Sequence, residues 1–280
     1  MTAPPRLTDT AALTRNRARA LSQAARAGTP PARFLHDAAI AELQDRLAMV
    51  NKTFTDVAVV TGHPEIWGPA FPGARLLRDA DLLELTPGAH DLVIHAMALH
   101  WANDPVGQVI QCARALRPDG LFLAVALGGQ TLAVLRATLA EAEVALTGGL
   151  SPRVAPMAEV RDMGALLQRA GLALPVADAL PLTASYSDFM ALLHDIRAMG
   201  EANALADRLR RPTRAGVFRQ AARLYSGAAS DQDGRLLARF DLIVLTGWSP
   251  ADSQPRPLRP GSAQARLAET LGVKEIPLGD

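Results

Sequence analysis

The chain of 280 residues holds one cysteine, Cys112. A single thiol can build neither an internal disulfide framework nor a cysteine-based zinc cluster, and it fits a reducing compartment. Lysine is nearly as scarce, with Lys52 and Lys274 alone among many arginines. Together with abundant alanine this reflects a GC-rich coding bias and carries no functional information. Charge of one sign is also missing: the formal net charge is +1, so no chain-wide pull toward nucleic acid or an anionic membrane is expected. No apolar run approaches the roughly 18 residues of a membrane span, and no continuous apolar signal core follows the N-terminus. The expectation is a protein with no membrane span and no nucleic-acid partner, cytoplasmic in a bacterium. Zincin, nucleophile-elbow, P-loop and EF-hand motifs do not occur, which leaves hydrolase and nucleotide-triphosphatase readings without support.

What is present is apolar content. At 49% hydrophobic residues, the chain can bury a large core as one domain or a domain with an appendage. Within residues 1–33, the stretch before Gly28 carries Arg6, Arg15, Arg17, Arg19 and Arg26 against only Asp9. That acid-poor pattern suits either a transit segment or a solvated basic arm or helix face, and the solvated arm or helix face is the preferred reading.

From Phe34 the pattern becomes regular. Phe34, Leu35, Ala38, Ala39, Leu43 and Leu47 recur at spacings of three and four and predict a helix over 34–49. Val57–Val60 reads as a buried strand ending at Gly62 and Pro64. A short helix over 65–71 follows, and then a short strand over 74–77. Residues 91–96 form a second buried strand. A helix from Pro105 to about Leu116 is signalled by Asn103 or Asp104 as its cap. Arg117-Pro118-Asp119-Gly120 reads as a turn with Gly120 at positive φ, leading into a third buried strand over 121–127. Helices are predicted over 130–146, 159–170, 187–199 and 213–224, and a late strand over 236–248. Residues 249–280 read as a Pro-rich tail. Strands and helices alternating across short turns bury both faces of a parallel sheet, which is the α/β class. In such sheets ligands sit at the carboxyl ends of the strands.

The segment Leu99-His100-Trp101-Ala102-Asn103-Asp104, followed by Leu116-Arg117-Pro118-Asp119-Gly120-Leu121-Phe122, resembles class I S-adenosylmethionine-dependent methyltransferases. Gly128-Gly129-Gln130-Thr131-Leu132, Gly148-Gly149-Leu150-Ser151-Pro152 and Met199-Gly200-Glu201-Ala202-Asn203 narrow the resemblance. They are similar to the methyltransferase-like assembly factor of respiratory complex I and its alphaproteobacterial relatives. The resemblance spans roughly residues 34–265. It implies a Rossmann-like fold with helices on both faces of a mostly parallel sheet. The methyltransferase-like domain would cover 34–248, with a helical insertion at about 187–225. It further implies S-adenosylmethionine as cofactor and a protein substrate such as a respiratory-complex subunit. The chemistry would be methyl transfer or arginine hydroxylation, and the location the mitochondrial matrix in a eukaryote.

The sequence departs from the family pattern twice. The first strand should end in a Gly-rich loop whose amides approach the cofactor, but only Gly62 stands there, and Pro64 removes an amide. From Thr61 to Asp91 there are only 30 residues, too few for the strand-helix unit that supplies the ribose-binding acid. These departures open a second reading, a non-catalytic assembly or interaction factor with a degenerate cofactor loop.

The resemblance points to Gly62, Asp79, Ala80, His95, His100 and Trp101 as cofactor-binding residues, each with a plain structural alternative. Gly62 could be an ordinary turn glycine, Asp79 a local cap, and Trp101 core packing. It also raises a substrate-facing role for Glu201-Ala202-Asn203. Arg136, Glu141, Glu143 and Glu201 otherwise read as solvated helix faces. His63-Pro64-Glu65 has the spacing of two ligands of an iron triad, a match chance explains easily, and no metal site is assigned. No catalytic residue is assigned either.

Overall fold

In a computed structural model, residues 6–254 are described. The chain divides into a unit of residues 1–250 and a second unit of residues 251–280, of which only 251–254 are described. The Pro-rich tail therefore lies almost wholly outside the described residues.

Six strands form one sheet: β1 (Val57–Thr61), β2 (Arg75–Leu77), β3 (His90–Ala96), β4 (Leu116–Gly128), β5 (Ala173–Tyr186) and β6 (Leu236–Trp248). Their spatial order is β2-β1-β3-β4-β6-β5. The first four run parallel to one another, and β6 lies antiparallel between β4 and β5. This is a Rossmann-like α/β fold. Between β1 and β3 the chain fits only one helix, α3 (Pro64–Ala70), and the three-residue β2, so the sheet is short by the strand-helix unit that the 30-residue interval leaves out.

Both faces are covered because the side chains alternate. On β4, Leu121, Leu123, Val125 and Leu127 face one apolar cluster. Phe122, Ala124 and Ala126 face the other. The first cluster is completed by α2 (Phe34–Met49), α5 (Ala133–Thr147), α7 (Phe189–Ala198) and α8 (Ala215–Ala228). The second is completed by α4 (Pro105–Ala115) and α6 (Val160–Arg169). Burying a Phe122-sized side chain contributes about 1.5–3 kcal/mol, so each strand adds to both layers. Asp104 caps α4 by accepting the Gly107 amide at 2.7 Å, with Pro105 in the first turn. No helix among the described residues is long and apolar enough to cross a membrane.

Three expectations need correction. Residues 10–27, expected as a solvated arm or helix face, form a helix, α1 (Thr10–Ala27), capped by Asp9, in which Arg17 is not solvated but buried with Ala12, Leu13 and Ala20. The turn at 117–120 is absorbed into β4 as an irregularity. His90 pairs with Leu116 and Leu92 with Leu121, and the positive φ of 62° falls on Asp119 rather than Gly120. Strand β5 was not predicted. It is an edge strand, mostly exposed, that carries Pro175 and Pro181.

Candidate functional site

The carboxyl ends of β1 and β3 open onto a buried polar cluster. The chain leaves β1 at Thr61, turns at Gly62 and enters α3 with His63 as the residue before Pro64. It leaves β3 at Ala96 and makes a 3-10 turn over Leu99–Trp101. Gly200, at φ +81°, ends α7 and brings Glu201 over the same opening.

Two constellations meet there. In the first, Arg17 of α1 reaches down onto the turn after β1. Its Nη1 donates to Asp79 Oδ2 at 2.7 Å, with the two side chains 8% and 14% exposed. A Cβ placed on Gly62 would overlap the Arg17 guanidinium, so the guanidinium packs directly on the Gly62 backbone. Gly200 packs on the other side, where a Cβ would stand 3.2 Å from the Arg17 Cα and 3.4 Å from the His63 ring. Arg17 is thus held between two glycines. Its Nε and Nη2 are buried and have no hydrogen-bond partner.

In the second constellation Glu201 is the centre. Its Oε2 accepts from the Trp101 indole N–H and from His100 Nε2, the latter at 3.2 Å. The opposite ring nitrogen of His100 accepts the Leu127 amide at 3.3 Å, which fixes the imidazole. Glu201 Oε1 lies 4.0 Å from His63 Nε2, and both atoms are buried without a partner. Burial would raise the Glu201 carboxyl. The His100 hydrogen bond and the electrostatics of His100, Arg17 and His63 outweigh it and hold the group at about 2. Glu201 is therefore a buried anion at neutral pH. It also lines a cavity of roughly 190 Å³, otherwise walled mainly by apolar side chains such as Leu132, Met157, Ile196 and Phe240.

The residues expected from sequence do not act as one set. Gly62 and Asp79 meet at Arg17, and His100 and Trp101 meet at Glu201. The Ala80 carbonyl accepts from Gln108 Nε2 at 2.9 Å, and Gln108 Oε1 accepts from His95 Nε2 at 2.7 Å. His95 is fully buried on the α4 face, and burial drives its pKa down. This makes it an internal strut between β3 and the 79–81 loop. Trp101 is 6% exposed and packs with Leu13 and Leu205, so it is core as well as a donor to Glu201. His63 and Glu65 bond each other at 3.3 Å, and no group of three metal-ligating residues forms among the described residues. Glu143, expected on a solvated face, is buried against Arg153 at 2.7 Å. Glu201 lies past the end of its helix rather than on it.

Comparison with known proteins fits this geometry. Residues 63–124, which run from the turn after β1 through the 3-10 turn into β4, match the methyltransferase domain family. Over those residues the chain is similar to methyltransferase-domain proteins. It is 33% identical over 208 residues to the mitochondrial arginine-hydroxylase NDUFAF5 of Danio rerio, covering 73% of this chain and 64% of that protein. It is 37% identical over 187 residues to the Dictyostelium discoideum protein of the same name, covering 66% and 43%. It is also 34% identical over 191 residues to the malonyl-[acyl-carrier protein] O-methyltransferase of Laribacter hongkongensis, covering 67% and 61%. The chain therefore spans less than two thirds of the length of these relatives.

The superfamily's cofactor, S-adenosylmethionine, does not fit the cleft in this arrangement. The backbone it would approach at Gly62 is covered by the Arg17 guanidinium, and the Asp79 carboxylate is already paired.

Proposed function

We propose that this methyltransferase-like protein binds a protein substrate, a subunit of a respiratory complex, and supports its modification or assembly. The bacterial cytoplasm, or the mitochondrial matrix in a eukaryote, is the corresponding location. The observation that carries the reading is Glu201: an anionic carboxylate lining a mainly apolar cavity, its Oε2 held by Trp101 and His100. An anion at such a wall favours a long side chain with an apolar stem and a cationic head. The name arginine-hydroxylase on two relatives is consistent with such a head. Arg153 and Arg197 also line the cavity, and Arg153 is neutralised by Glu143.

The second reading is a non-catalytic interaction factor. It is favoured by one specific feature, Arg17 filling the cleft between Gly62 and Asp79. Under both readings the partner surface lies at the Glu201 cavity.

The test is complementation. In a host lacking this protein, assembled NADH-oxidising complex is measured in membranes after restoring the wild type or Glu201→Gln. The wild type should restore the complex, and Glu201→Gln, of equal size and without the charge, should restore less than a tenth of it. Full restoration by Glu201→Gln at equal protein level would remove Glu201 from the function. No loss of the complex in the host would remove the assembly role.

A further inference from the structure

We propose that α1 is a displaceable plug of the cofactor cleft: Arg17, seated between Gly62 and Asp79, must leave before a nucleoside-containing cofactor can enter. The inference depends on the superfamily fold and not on the substrate reading above.

Three observations carry it. First, Arg17 occupies the contact surface that the fold reserves for its ligand, at the carboxyl ends of β1 and β3. A Cβ at Gly62 would overlap its guanidinium, and Asp79 is its ion-pair partner. Second, Arg17 is poorly satisfied there. A guanidinium has five N–H donors, and a buried arginine kept for structure alone normally places them all. Here, among the described residues, the guanidinium donates from Nη1 to Asp79, while the buried Nε and Nη2 have no hydrogen-bond partner. The docked state carries an unmet desolvation penalty that undocking relieves. Third, α1 is fastened like a movable element. Its buried apolar residues are Ala12, Leu13 and Ala20. Its polar fastenings lie in its first half and just before it: the Thr8 amide on Asn103 Oδ1 at 2.9 Å, the Ala206 amide on the Leu7 carbonyl at 2.9 Å, the Asp9 amide on the Ala204 carbonyl at 2.8 Å, Asn16 Nδ2 on the Ala202 carbonyl at 2.9 Å, and Arg208 on Asp9 at 3.0 Å. Its far end is exposed and runs into Gly28, at φ +65° with nothing within 4 Å of an added Cβ, and then Thr29-Pro30-Pro31. The helix can therefore swing on that joint without disturbing the sheet.

The 202–208 segment that fastens α1 is continuous with Glu201. A partner that moves Glu201 at its cavity would loosen the same contacts, so partner binding and cofactor entry are coupled through one short stretch of chain. Plug and ligand compete for the same cleft, and anything that weakens the plug raises the apparent ligand affinity by the fraction of cleft it frees.

The experiment is calorimetric titration of the full chain with S-adenosylhomocysteine, alongside hydrogen exchange of the residue 10–27 amides. Three proteins are compared: wild type, Arg17→Ala, and Arg208→Ala, which loosens α1 without touching the cleft. Thermal unfolding confirms that each is folded. The expected result is at least tenfold tighter binding by Arg17→Ala and measurably tighter binding by Arg208→Ala. Saturating ligand should speed exchange across 10–27 in the wild type. Unchanged affinity in either variant would overturn the proposal, as would weaker binding by Arg17→Ala, which would make Arg17 a ligand contact. Ligand binding that leaves α1 exchange unaltered, or no binding by any of the three, would overturn it as well. Complementation by Glu201→Gln does not bear on these outcomes, so the two readings fail separately.

Discussion

The His36 imidazole gives a stability prediction with a worked magnitude. The residue is 2% exposed on α2, and its Nδ1 accepts the Trp67 indole N–H at 3.0 Å. The neutral ring must therefore carry its proton on Nε2. A second proton would set N–H against N–H and place a charge beside the His63 ring, whose centroid is 4.6 Å away. Burial, with His63 adding to it, holds the His36 pKa at about 3 against 6.5 in an unfolded chain. Between those values the unfolded state binds one proton more than the folded state. Unfolding free energy therefore falls as pH falls, by about 1.4 kcal/mol per unit. From pH 6.5 to pH 5.0 the loss is about 2 kcal/mol, a large share of the ~5–15 kcal/mol that holds a typical domain folded.

The control is His36→Asn, whose Oδ1 can take the indole hydrogen bond and which does not titrate. The variant should start less stable because a buried ring is lost. It should then lose about 2 kcal/mol less than the wild type between pH 6.5 and 5.0 in urea denaturation. His95, also buried and lowered, contributes equally to both proteins and cancels in the difference. The depressed carboxylates Glu201 and Glu143 lose their contributions only below about pH 4.5, outside the window. Equal losses in the two proteins would refute the assignment of His36 as a buried neutral base.

Other substitutions test separate parts of the fold. Glu143→Ala leaves Arg153, 14% exposed, without its partner and should cost about 3–5 kcal/mol by urea midpoint, with part of the loss recovered in the Glu143→Ala, Arg153→Ala double variant. Asp104→Ala removes the cap on the Gly107 amide and should cost about 1 kcal/mol, without changing far-ultraviolet circular dichroism outside the unfolding transition. Phe122→Ala empties the centre of the α4–α6 layer and should cost about 3–5 kcal/mol; a loss under 1 kcal/mol would mean that layer is not close-packed.

Most of the strands the sequence identifies are buried on both faces, with the short, exposed edge strand β2 the exception. Val57–Val60, Leu92–Ala96 and Leu121–Leu127 are continuous apolar runs because helices cover the sheet on each side of them. Strand β5 gave no such signal. It pairs only with β6, most of its residues are exposed, and its prolines fit an edge rather than a centre. The irregularity in β4 was misread for a related reason: Arg117-Pro118-Asp119-Gly120 is turn chemistry, and the sheet accommodates it without ending the strand.

The site was legible in its floor and illegible in its lid. Gly62, Asp79, His100 and Trp101 lie at strand ends, where the α/β fold puts ligand-facing residues, and a motif reading reaches them. Arg17 lies 62 positions from Asp79, in a segment whose charge suggested a solvated arm. A signal did exist: Leu13, Arg17 and Ala20 are spaced four and three, so Arg17 stands within the buried stripe of α1. An arginine interrupting an otherwise apolar stripe has to find an anion inside the protein or cost the helix its docking. In this chain the anion is Asp79, on the loop that takes the place of the missing strand-helix unit. The Asp79 loop follows β2, which pairs directly with β1, so the short interval brings Asp79 beside Gly62, and Arg17 of α1 packs on the one and pairs with the other.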